Sequence, residues 1–169
     1  KFPNSGGIYF IKLKSYNDTE GKYTLDMDEL NWNDAYEPDN TFEQAYEVEN
    51  YPIEEMVGTI LTDEDFSTID YECYKVLIRT GYKVAFNVIP SSSNMQLHLT
   101  IYNDNRELME VIDQQEGESI TSYSLRNGGA TDTFMYLKLQ GNVPDNGSDY
   151  RISFTESVYS GKKKGLYIK

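Results

Sequence analysis

The sequence predicts an all-β fold, an antiparallel β-sandwich of jelly-roll-like type with an additional N-terminal β-hairpin. Three observations carry that expectation. Short stretches of alternating apolar and polar residues recur, with turn residues between them at roughly ten-residue spacing. Tyr occurs 15 times beside 7 Phe, a composition that favours strands and wet surfaces over helix bundles. At 169 residues the chain is long enough to bury a real core.

Taken in order, Ile8 to Lys14 has the β-branched and aromatic content of a strand. Asn17 to Gly21 is a turn, and Lys22 to Met27 alternates as the second arm of a hairpin. A polar linker containing Trp32 follows. Asn40 or Thr41 is a candidate N-cap, so one or two helical turns at most are expected through Tyr46. Strands are then predicted at Val57 to Leu61, Tyr74 to Ile78, Tyr82 to Ile89 and Met95 to Tyr102. Leu97, Leu99 and Ile101 share one face of the last of these, with Gln96, His98 and Thr100 on the other. Weaker strands fit Glu107 to Ile112 and Ser119 to Leu125, and a closing pair fits Thr133 to Leu139 and Tyr150 to Phe154. The lysines at 162, 163 and 164 read as a frayed basic tail, with docking on the acidic window as the alternative.

Charge is distributed unevenly. The chain has 28 acidic and 15 basic residues, a formal net charge of -13, which argues against a nucleic-acid partner. From Tyr23 to Tyr74 there are 16 Asp or Glu residues and no Lys or Arg. Such a window repels itself unless something positive neutralises it. Oxygen donors without His or Cys suit a hard cation, calcium before a transition metal. With Cys73 alone there is no internal disulfide, and no apolar run approaches the roughly 20 residues of a membrane span. A start at Lys1 is not a translation start, which predicts a mature or excised fragment.

The segment Gly6 to Met27 parallels Gly128 to Phe154 as a hairpin after a Gly-Gly pair. This suggests four parts: 1–30, the closing hairpin of a preceding similar module; 31–45, an acidic linker and signature; 46–158, a complete sandwich module; and 159–169, a basic tail. An isolated hairpin is marginal in water, so residues 1–30 are expected to pack on the module, pair by strand addition with another chain, or stay partly mobile.

Five motifs stand in order: Glu37-Pro38-Asp39-Asn40-Thr41-Phe42-Glu43-Gln44-Ala45, Gly58-Thr59-Ile60, Asp70-Tyr71-Glu72-Cys73-Tyr74-Lys75-Val76, Leu97 to Asp104, and the Gly128 to Phe154 hairpin. Together they resemble the bacterial pre-peptidase C-terminal domain, a relative of the collagen-binding domains of clostridial collagenases. The resemblance covers about residues 34 to 156. It implies a non-catalytic β-sandwich carried by a secreted bacterial hydrolase, often a peptidase, whose catalytic domain is then the partner in the parent protein. It also implies calcium tying the acidic linker to the sandwich, with Glu37, Asp39, Asn40, Asp70 and Glu72 as ligands by position. Asp39 stands where the family usually has Asn, Glu72 where it has Asp, and Ala35 where the collagen-binding relatives offer a further acid. The inserted acids Asp63 and Asp65 are alternative ligands.

Other chemistries fit poorly. An EF-hand loop starting at Asp63 places Thr68 at its sixth position and Tyr74 at its twelfth, where Gly and Glu are needed. One His and one Cys do not make a zinc site, and His98 lacks a partner nucleophile. No Gly-rich phosphate loop appears. The leading expectation is therefore a calcium-binding accessory module. A second is a polysaccharide- or matrix-binding module with Tyr82, Tyr102, Tyr123 and Tyr136 on a sheet face. A third is an assembly role through strand pairing by residues 1–30.

Overall fold

The computed structural model describes residues 35–61, 70–142 and 148–159. The expected N-terminal hairpin, its repeat relation to the closing hairpin, Asp63, Asp65 and the lysine tail lie outside the described residues.

Nine strands form a sandwich of two sheets: β1 (Tyr46–Val48), β2 (Ile53–Ile60), β3 (Glu72–Ile78), β4 (Tyr82–Pro90), β5 (Gln96–Tyr102), β6 (Leu108–Asp113), β7 (Ile120–Arg126), β8 (Thr133–Asn142) and β9 (Ser148–Val158). The five-stranded sheet runs β1-β3-β8-β5-β6, and the four-stranded sheet runs β2-β9-β4-β7. Every neighbouring pair is antiparallel except β1 with β3, which is parallel. The helical turns expected after Asn40 are absent. Gln44 N–H donates to the Thr41 carbonyl at 3.1 Å, a single turn that ends as the chain enters β1.

The alternation read in the sequence sets the core. Val84, Phe86 and Val88 of β4 face Leu97, Leu99 and Ile101 of β5 and Leu137 and Leu139 of β8 across the sandwich, all at most 1% exposed. Their neighbours Lys83, Ala85 and Asn87 face outward, as period-two geometry requires. A bulge breaks the β4–β7 ladder between Phe86 and Val88. There the Ser122 N–H, at a φ of 53°, donates to Asn87 Oδ1 at 2.8 Å.

Asn127, 3% exposed, closes one end of the sandwich. Its amide donates to the carbonyls of Ile78 at 2.9 Å and Thr131 at 2.7 Å, and its Oδ1 accepts from Gly129 N–H at 2.8 Å. Asn127→Ala leaves three backbone groups to find new partners and is expected to cost about 2 kcal/mol in urea denaturation. Asn127→Asp is expected to cost a similar amount, because a carboxylate cannot donate to the two carbonyls.

Candidate functional site

The signature segment runs beside the start of β3. Cys73 N–H donates to the Asp39 carbonyl at 3.0 Å, and further on β1 pairs with β3 at Tyr46 opposite Tyr74. Between these points the chain loops over the outer face of the five-stranded sheet. The Phe42 ring packs 4.9 Å from Tyr102 and 5.2 Å from Tyr136. Arg106 lies 5.7 Å from the Phe42 ring centre and pairs with Glu43. That hydrogen bond holds the Glu43 carboxyl below its ordinary value.

This course brings acidic residues together. Carboxylate oxygens of Glu37, Asp39 and Glu72 all lie within 4.8 Å of one another, and Asp39 and Glu72 are both 0% exposed. Asn40 braces the arrangement: its amide donates to Glu37 Oε2 at 3.3 Å while its Oδ1 accepts from Tyr71 N–H at 3.0 Å. Asp39 N–H reaches the same Glu37 oxygen at 3.2 Å. Asp70 plays another part. Its Oδ2 accepts from Leu61 N–H at 2.9 Å, tying the end of β2 to the approach of β3, and it is not among the three gathered carboxylates.

Glu72 is also held from the core side. The Tyr150 hydroxyl donates to Glu72 Oε2 at 2.7 Å and is itself hydrogen-bonded to the Tyr74 hydroxyl. Since Tyr150 has one proton and gives it to Glu72, Tyr74 is the donor in the second bond. Burial, and then Tyr74 and Glu72, push the Tyr150 hydroxyl well above its ordinary value, so it stays a donor. Gly58 makes room for that ring. A Cβ at Gly58 would stand 2.3 Å from the Tyr150 hydroxyl oxygen and 2.4 Å from the carbon that bears it. Gly58 and Tyr150 are opposite each other in the β2–β9 ladder. The sequence marks Tyr150 only as the start of a closing strand and not as a partner of Glu72, although a Gly inside a strand is a signal of close approach.

The four tyrosines singled out as a platform do not share a face. Tyr102 and Tyr136 are opposed on β5 and β8, where they lie under Phe42, and Tyr136 is buried. Tyr82 and Tyr123 belong to the other sheet. The Tyr123 ring packs 5.3 Å from Phe86 and its hydroxyl donates to Glu110. His98 pairs with Asp113 across β5 and β6. Burial pushes the Cys73 thiol up to about 12, far from a thiolate at neutral pH.

The donor set of the cluster fits a hard divalent cation. It is all oxygen and carries up to three negative charges. It also draws from two separate stretches of chain, so a bound cation would supply a charge that holds them together. No protein-family model matches the chain, and no curated protein matches it.

Proposed function

We propose that the chain is a non-catalytic, calcium-binding accessory module of a secreted bacterial hydrolase of the peptidase kind. Calcium ties the Glu37 to Asn40 segment to β3 and stiffens the junction between this module and its neighbour in the parent protein. The observation that carries this reading is the gathering of Asp39 and Glu72, both fully buried, with Glu37. Two unit charges at such a separation repel by about 3.5 kcal/mol or more even at an effective dielectric of about 20, and each also loses its water. A divalent cation relieves both costs. The position of these residues in the pre-peptidase-like signature supports calcium over magnesium. The buried, protonated Cys73 thiol supports a non-catalytic role.

Calorimetric titration tests this. The intact chain is expected to bind one or more calcium ions, and Asp39→Asn or Glu72→Gln is expected to weaken binding at least tenfold, since each removes a charged ligand while keeping the hydrogen-bonding shape. Undiminished binding in both variants would place calcium elsewhere.

A further inference from the structure

The outer face of the four-stranded sheet carries a second feature, remote in character from the carboxylate cluster. Lys83 of β4 and Arg126 of β7 are register partners, followed in the same ladder by the buried pair Val84 and Leu125. Both therefore stand on the outer face. Directly opposed residues have Cβ atoms about 5 Å apart, and like charges there repel. In a chain with 28 acidic and 15 basic residues, an acid beside a base is the easy arrangement. Lys75, Arg79, Arg106 and Arg151 have each found one, and Lys138 instead lies 3.3 Å from the centre of the Tyr71 ring. Among the described residues, neither Lys83 nor Arg126 takes part in an ion pair. The Arg126 guanidinium instead lies 5.4 Å from the centre of the Tyr159 ring.

From this corner the outer face continues along β9 as short polar side chains. Ser153 and Thr155 lie opposite Asn87 and Ala85. The Asn87 amide donates to Ser153 Oγ at 3.1 Å. From Ser157 to Arg151 this floor extends roughly 20 Å at the usual strand rise.

We propose that this face binds a linear anionic polysaccharide. Carboxylate or sulfate groups sit on Lys83 and Arg126, and sugar hydroxyls lie over the serine, threonine and asparagine floor. The charge of the occupant follows from two cations held opposite each other in the β4–β7 register with no acid paired to either among the described residues. A sugar polymer fits better than a protein partner because, among the described residues, the floor between Ser157 and Ser153 offers no aromatic or apolar pocket of the kind that anchors protein interfaces. Its half-exposed apolar side chains, Val57 and Ile89, lie together at the Arg151 end. The inference stands apart from the calcium reading and survives if that reading fails.

Affinity electrophoresis or column retention of the full chain on heparin and on polygalacturonate, with dextran as the neutral control, tests it. The chain is expected to be retained on at least one anionic polymer at low ionic strength, released by salt, and not retained on dextran. Lys83→Gln with Arg126→Gln is expected to weaken retention at least tenfold without lowering the melting temperature. Replacing the lysines at 162, 163 and 164 by Gln is expected to leave most of it. No retention on either anionic polymer, equal retention of the Lys83/Arg126 variant, or loss only in the tail variant would overturn the proposal. So would a dimer in sedimentation that the double variant dissolves, because the occupant would then be an acidic face of a second copy.

Discussion

Gly58→Ala is expected to destabilise the sandwich by about 3 kcal/mol, lowering the melting temperature by about 6–12 °C for a domain of this size. The new methyl group meets the Tyr150 ring at 2.3 to 2.6 Å, and that ring has nowhere to go. It is 0% exposed, and its hydroxyl is fixed between Glu72 and Tyr74. Moving the ring forfeits a hydrogen bond to a carboxylate as well as packing. The effect is specific to one neighbour, which a double-mutant cycle reads directly. In a Tyr150→Val background, where the ring is gone, the alanine is expected to cost less than about 1 kcal/mol. An equal cost in both backgrounds would mean that Gly58 matters for its backbone and not for the ring above it.

The second large effect is a reversal of rank with calcium. In chelator, Asp39→Asn and Glu72→Gln are expected to match or exceed the parent in stability, because each removes one of the charges gathered within 4.8 Å in a poorly solvated place. In excess calcium the parent is expected to become the most stable of the three. A ligand at 100 times its dissociation constant adds about 2.7 kcal/mol to the native state, and the variants with weakened binding gain little. An acidic cluster that merely tolerates its charges gives no such crossing.

Much of the sandwich was legible because its strands obey the alternation of a half-buried surface. β4, β5 and β8 each have an unbroken inner row, as in Leu97, Leu99 and Ile101, and turn residues such as Gly81, at a φ of 77°, mark their ends. Predicted and observed strands differ mainly in length. β2 begins at Ile53 and not at Val57, since Glu54 and Glu55 on its edge hide the pattern. β1 left no signal. Its three residues are too few to alternate visibly, and they become a strand only because β3 lies beside them. The capping pattern at Asn40 and Thr41 was outweighed by tertiary contact, with Phe42 held against Tyr102 and Tyr136.

The candidate site was legible in part for the same reason. Glu37, Asp39 and Glu72 stood out as acids in an unneutralised window and in a recognisable signature. Distinguishing them from Asn40 and Asp70 required three-dimensional partners, the backbone amides of Tyr71 and Leu61. The pairing of Gly58 with Tyr150 and of Lys83 with Arg126 depends on register between strands distant in sequence, which no local pattern encodes.

The most direct measurement is the melting temperature of the intact chain in saturating calcium and in chelator at constant ionic strength. The account predicts a rise of at least about 5 °C with calcium, abolished or sharply reduced in Asp39→Asn and Glu72→Gln. An unchanged melting temperature at saturating calcium would contradict it.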